Sequence, residues 1–273
     1  MDIFITLPTA VFVFALGVSV GSFINVVAYR LPAGLSISSP PSHCPKCQTK
    51  LKSYDNVPVF GWLWLRGRCR YCYSKISPRY PVVEAATGLI FIVIFLTFKF
   101  SIFTVGYWFF CSWLLALSLI DLDTMTLPNP LTQSGLVLGI VFQMAVGFVT
   151  QSSWEGAIRQ LMTGIVGAVL GIWLLEAISF LGSITLGQTA MGAGDAKLAA
   201  MMGAWLGWQY LLLAGFLACA TGALFGVVAI ILSHSRWGQR IPFGPFLALG
   251  ALITVFGGET MLSNYLRLFV IGH

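Results

Sequence analysis

The chain has 273 residues, of which 58% are hydrophobic and 9% charged, with a net charge of +6 and a mean hydropathy of +0.88. A soluble domain carries about 25% charged residues. A soluble globular protein is therefore excluded, and the length is taken up by membrane spans rather than by several soluble domains.

A span needs about 20 apolar residues. Eight stretches qualify or nearly so: 7–29, 82–98, 102–120, 131–150, 159–181, 197–208, 210–232 and 243–263. The first does not read as a cleavable signal: only Asp2 precedes its apolar run, and a basic segment follows it. The sixth is short. Residues 198–233 contain no Asp, Glu, Lys or Arg, which is too long for one ordinary span, so a helical hairpin broken at Gly207-Trp208-Gln209 is expected. The fold class is an all-α polytopic membrane protein of about eight transmembrane helices with a small cytoplasmic module. The division is 1–29 (first helix), 30–81 (polar module) and 82–270 (helical bundle).

The polar module opens with Leu31-Pro32-Ala33-Gly34 and closes with Ser77-Pro78-Arg79-Tyr80-Pro81. Within it, Cys44-x-x-Cys47 and Cys69-x-x-Cys72 are separated by 21 residues. Each knuckle can turn two thiolates toward one ion, and two knuckles make a tetrahedral four-thiolate zinc site. So few aliphatic residues cannot build a large core, so bound zinc would supply much of the folding free energy. Four thiolates leave no open position for water, which makes the zinc structural. Two disulfides would disagree with a reducing cytoplasmic face. His43 adjoins the first knuckle as a neighbour rather than a ligand. Cys111 and Cys219 lie in spans and read as small apolar packing residues.

Orientation follows from lysine and arginine. Residues 30–80 hold nine of them against the single acid Asp55. With this loop in the cytoplasm, alternation puts about twelve basic residues inside, including Arg236 and Arg240, and three outside: Lys99, Arg159 and Arg267. The excess reads as positive-inside topology with attraction to anionic lipid. No nucleic-acid partner is expected.

Two spans separate Asp121 from Asp195, so both fall at cytoplasmic span ends. A carboxylate at the edge of hydrocarbon is costly and usually functional. Asp121 lies in Ile120-Asp121-Leu122-Asp123, with Leu127-Pro128-Asn129-Pro130 fixing the loop beyond it. Asp195 lies in Met191-Gly192-Ala193-Gly194-Asp195-Ala196-Lys197. The bland alternatives are a helix-end polar residue for Asp121, a solvated neighbour for Asp123 and an N-cap for Asp195. Gly192 and Gly194 admit close approaches that a side chain would block. Two carboxyls sharing a site keep one proton between them, which suits activation of a water and protonation of a gem-diol. His43, His234 and His273 are far from both aspartates in sequence.

Taken together, these motifs resemble the bacterial type IV prepilin peptidases, membrane aspartic proteases of the Gly-x-Gly-Asp class. Gly21-Ser22-Phe23-Ile24-Asn25 through Tyr29-Arg30-Leu31-Pro32 is similar to the family's first-span signature. The two cysteine pairs, Ser77 to Pro81, Glu84, Ile120-Asp121, and Met191 to Leu198 follow in family order. Asn129 departs from the pattern, since many members carry an acid after Leu-Pro. The resemblance implies that Asp121 and Asp195 are catalytic. It implies cleavage of type IV prepilins or secretion pseudopilins after a glycine at the cytoplasmic face of the bacterial inner membrane. It further implies N-methylation of the new N-terminus from S-adenosylmethionine, with Gly21 and Glu84 near that cofactor. Gly192, Gly194, Lys197 and Asp123 are candidate substrate contacts. Asp123 is the best placed acid for a basic leader, which the basic loop would not attract.

The rival readings are a proton- or ion-coupled transporter with a regulatory zinc loop, and a non-enzymatic assembly scaffold. Transport favours acids near the membrane midplane, whereas these stand at span ends. A scaffold gives no reason for Gly-x-Gly-Asp.

Overall fold

A computed structural model describes residues 3–186, 192–232 and 241–269; Asp2, Met191, His234, Arg236, Arg240 and His273 lie outside the described residues. Helix α1 (Ile3–Arg30) is followed by a 3₁₀ turn (Ser53–Asn56) and the short α2 (Phe60–Trp64). Then come α3 (Arg79–Phe98), α4 (Ile102–Thr124), α5 (Asn129–Gln151), α6 (Trp154–Leu186), α7 (Ala193–Ile231) and α8 (Gly244–Phe269). Seven of these are long and apolar enough to cross a membrane. This multi-pass helical architecture is the expected class, because helices satisfy every backbone group inside lipid. Among the described residues there is no strand, only the isolated bridges His43–Lys50 and Arg68–Lys75.

Seven helices hold eight apolar stretches because α7 contains two of them. Gly207 inside α7 has φ 78° and ψ 169°, which is not helical. The neighbours show what the break does. Gly258 of α8 stands against Tyr210, Gly250 against Ala214, and Phe246 against Phe225, so α8 runs antiparallel to residues 208–231. The first residue of α8, Gly244, reaches Asp121, whose carboxylate lines one cleft with Asp195. Residues 208–231 thus end at the level where residues 193–206 begin. α7 is the expected hairpin, folded back at Gly207. The break frees carbonyls near the turn, and the buried Gln143 side chain of α5 donates Nε2–H to the Trp205 carbonyl at 3.1 Å. Trp205 Nε1–H in turn donates to the Gly135 carbonyl at 2.8 Å.

The chain divides into two units, at Ser112/Trp113 within α4. In the first, α1 and α3 pack through small residues. A Cβ added at Gly17 would meet Gly88 Cα at 2.7 Å, and one at Gly21 would meet Glu84 Cα at 2.8 Å. Close backbone approach through glycine is a usual way for membrane helices to gain van der Waals contact. Phe91 and Trp108 stack at 5.1 Å, and Trp108 Nε1–H donates to the Phe91 carbonyl at 3.0 Å. In the second unit the first half of α7 lies against α5 and α6, with Gly167 on Gly203 and Gly171 on Ala199. Leu198, Met201, Met202 and Ala204 are fully buried there.

Candidate active site and metal centre

α4 ends at Thr124, one turn beyond the expected span, so Asp121 belongs to the helix's last turn. The helix is closed by Met125, at φ 51°, whose N–H donates to the Asp121 carbonyl at 2.9 Å. α7 begins at Ala193 with Gly192 as its flanking residue, which makes Asp195 the third helical residue and not the N-cap. Its N–H donates to the Gly192 carbonyl at 3.1 Å. Both carboxylates are buried, at 5% exposure for Asp121 and 8% for Asp195. They line one cleft of about 290 Å³, together with Met125, Thr126, Leu127, Gly192, Ala193, Gly194 and Lys197. The acids are near enough to act on each other electrostatically. Both stand at helix ends.

The glycines before Asp195 differ in what they do. Gly194 packs closely: a Cβ there would meet Leu127 Cβ at 3.1 Å. Gly192 has an ordinary φ of −78°. A Cβ there would stand 3.9 Å from Asp195 Oδ2, so no side chain of this residue stands between the carboxylate and the cleft. Lys197 is exposed and donates Nζ–H to Asn129 Oδ1 at 2.7 Å. The residue that departs from the family pattern thus holds the lysine of the cleft through a neutral amide. Asp123 is exposed and is not part of the cleft lining. Two residues past Asp121, it projects from another face of α4.

One partner was missed from sequence. Gly244 N–H donates to Asp121 Oδ2 at 3.0 Å, across 123 positions in the chain. The local signal is Gly244-Pro245, since a proline in the first turn is a helix-start mark. Nothing local says that this helix start meets Asp121.

Gly21 and Glu84 do lie side by side, but as a packing contact. A Cβ at Gly21 would also meet Thr87 Oγ1 at 2.8 Å. The Glu84 carboxylate accepts the Val59 N–H at 2.6 Å and the Ser22 hydroxyl. Neither residue presents an open face to an adenosyl group, so the pair does not fit S-adenosylmethionine and no methyl-transfer step is derived through it.

The four module cysteines converge. Their sulfurs lie within 4.8 Å of one another, with Cys44–Cys72 at 3.7 Å and Cys47–Cys69 at 4.0 Å. A tetrahedral zinc with Zn–S near 2.3 Å sets its sulfurs about 3.8 Å apart, so the cluster fits that ion and could hold it. The two knuckles share one geometry. Gln48 N–H returns to the Cys44 carbonyl and Tyr73 N–H to the Cys69 carbonyl, at φ 56° and 55°. The Cys44 thiol is drawn down to about 6, chiefly by hydrogen bonding from the Cys47 backbone and against the effect of burial. Cys72 is lowered first by the Ser74 hydroxyl. Cys69 moves upward: the backbone of Cys72 and Tyr71 favours its thiolate, but burial and the thiols of Cys44 and Cys72 outweigh them. His43 turns its Nδ1–H to the Pro41 carbonyl at 3.2 Å and is no part of the sulfur cluster. Arg70 grips Asp55 through two nitrogens, so the module's single acid is internally paired. Cys111 is buried as expected, but Cys219 is exposed and is a surface residue rather than a packing one.

Comparison with known proteins gives two family matches in chain order. Residues 15–98 match the bacterial peptidase A24 N-terminal domain, and residues 108–227 the type IV leader peptidase family. A protein of Aeromonas salmonicida named prepilin leader peptidase/N-methyltransferase is 34% identical, covering 93% of this chain and 92% of its own. Proteins of the same name from Pseudomonas putida, 35% identical over 97% of this chain and 94% of their own, and from Pseudomonas aeruginosa, 34% identical over 92% and 91%, are similar. No solved structure matches.

Proposed function

The chain belongs to the type IV leader peptidase family, and from that premise we propose that it removes basic leaders from type IV prepilins or pseudopilins by aspartic chemistry. Asp121 and Asp195 are the catalytic pair. The observation that carries this reading is the cleft on whose walls both carboxylates stand. A burial that disfavours two charges leaves one proton shared between them. The ionised carboxylate takes a proton from a water as its oxygen attacks the peptide carbonyl carbon. The protonated carboxyl gives its proton to the carbonyl oxygen, yielding a gem-diol. Collapse of the diol breaks the C–N bond: one diol hydroxyl returns its proton to the second carboxylate, and the proton held by the first carboxyl goes to the leaving amine, which restores the dyad's single proton. The Gly244 N–H orients Asp121, and the bare Gly192 leaves room for an extended backbone over Asp195. Gly194 and Lys197 are the nearest substrate contacts, and Asp123, outside the cleft, would meet only a leader that extends past it.

The reading includes the second activity that the relatives' names carry, N-methylation of the new N-terminus, with S-adenosylmethionine as methyl donor. Cys44, Cys47, Cys69 and Cys72 hold a structural zinc, which when bound would cross-link the two knuckles. A cytoplasmic active face follows from the distribution of lysine and arginine, and the inner membrane from the family resemblance. Residues 30–81 are a separate module between the first helix and the bundle. The test is turnover of a purified prepilin by Asp121→Asn and Asp195→Asn in detergent. Each variant should insert normally and lose cleavage, because an amide cannot serve as base or release a proton. Near-normal turnover by either would overturn the pair.

A further inference from the structure

The polar module carries an apolar edge that neither the zinc site nor the cleft explains. α2 buries Gly61. It also turns Trp62 inward, where its Nε1–H donates to the Ile76 carbonyl at 3.2 Å and its ring lies under Gly67. The other face points away from the protein: Phe60 is 65% exposed, Leu63 56% and Trp64 84%. Three such side chains in five residues are an unusual load for a water-facing loop.

Depth decides what covers them. α2 is pinned at its start by the Val59 N–H, which donates to Glu84 Oε2. Val59 holds φ 62° to do so, a region that β-branched residues rarely occupy. Glu84 is five residues into α3 from Arg79, about 7 Å along the axis. α3 has 20 residues, about 30 Å, and needs nearly all of them to cross the hydrocarbon. Glu84 also packs beside Gly21, nine residues and about 13 Å below Arg30 on α1. The start of α2 therefore lies beneath both arginines, at the level where α1 and α3 already face lipid. Its surroundings are basic as well: Arg66 and Arg68 follow α2 directly and are exposed.

We propose that Phe60, Leu63 and Trp64 insert into the acyl–headgroup boundary of an anionic bilayer, with Arg66 and Arg68 at the headgroups. Tryptophan at the interface, apolar neighbours below and basic residues beside them are the composition of a membrane-surface anchor. The anchor fixes the zinc module against the leaflet instead of leaving it on a free tether.

The test uses the full-length protein with p-benzoyl-phenylalanine in place of Trp64, and separately in place of Leu63. Each is reconstituted in vesicles of phosphatidylethanolamine and phosphatidylglycerol, with a prepilin peptide present, and irradiated. Both positions are exposed, so the fold should tolerate the probe, and zinc content checks the module. Mass spectrometry should find acyl-chain adducts at both positions. Their yield should be about tenfold above that from the same probe at Lys46 on the first zinc knuckle, the bias that burying one large apolar side chain gives. Adducts mainly to the prepilin peptide would make the edge a substrate surface. Adducts mainly to a second chain would make it a subunit contact. Either result, or a lipid yield no higher than at Lys46, overturns the anchor.

Discussion

Gly244→Ala tests the contact that only the tertiary structure revealed. A methyl group at this position would stand 2.6 Å from Asp121 Oδ2 and 3.2 Å from its Cγ. Ordinary contact begins at 3.4 Å, so the carboxylate oxygen must retreat by about 0.8 Å, the difference of those two distances. The 3.0 Å hydrogen bond from the Gly244 N–H stretches beyond useful length at the same time. Misplacing a reacting group by about 1 Å costs roughly 10²-fold in rate. A lost hydrogen bond to a charged group costs about 1.5–3 kcal/mol, which is of the same order. The expected result is a kcat lower by about 100-fold with KM little changed. The backbone itself accepts alanine, since Gly244 opens α8 with no positive φ, so the loss of stability should be confined to the displaced carboxylate and its hydrogen bond, about 1.5–3 kcal/mol, and the bundle should stay folded. The assay is turnover of a purified prepilin in detergent, paired with thermal unfolding of the same preparation. In an Asp121→Asn background the alanine should change residual activity no further, because neighbours acting through one group are not additive. A well-folded Gly244→Ala enzyme with wild-type kcat would refute the reasoning, since Asp121 would then not depend on the α8 start.

Other outcomes can be checked alongside it. Purified protein should contain one zinc per chain by elemental analysis. Chelation or Cys72→Ser should make residues 30–81 protease-sensitive while the helical bundle stays intact, because ligand binding is folding free energy in so small a module. Asp123→Asn should raise KM for a basic-leader substrate by a factor worth about 1 kcal/mol, fading with salt, and leave kcat and neutral-leader substrates alone. A pure kcat loss would instead tie Asp123 to the positioning of Asp121. Gly207→Ala should destabilise the bundle by about 1–3 kcal/mol, the usual cost of forcing a side chain into a backbone region reserved for glycine. Its Cβ would also meet Thr163 Cγ2 at 2.8 Å. Denaturant unfolding in detergent measures that loss.

The sequence by itself determined the membrane class, the spans and the pairing of cysteines, because these rest on local quantities. Hydropathy over 20 residues reports a helix in lipid whatever its neighbours are. A Cys-x-x-Cys knuckle is shaped by its own backbone, as the matching φ of Gln48 and Tyr73 shows. The hairpin at Gly207 was legible for the same reason, as an uncharged run too long for one span. Span parity was enough to expect Asp121 and Asp195 on one face. What only the tertiary structure decided is what each of these groups touches. The family resemblance implies that Gly21 and Glu84 lie near a cofactor; the α1–α3 approach brings them together as a packed contact. Asp55, the single acid of residues 30–80 by sequence, is a buried partner of Arg70 in space. Lys197 finds Asn129 across the bundle, and Asp121 finds the Gly244 N–H. Such contacts join residues from 15 to 123 positions apart. They depend on how helices pack and end, and no local pattern of residues encodes that.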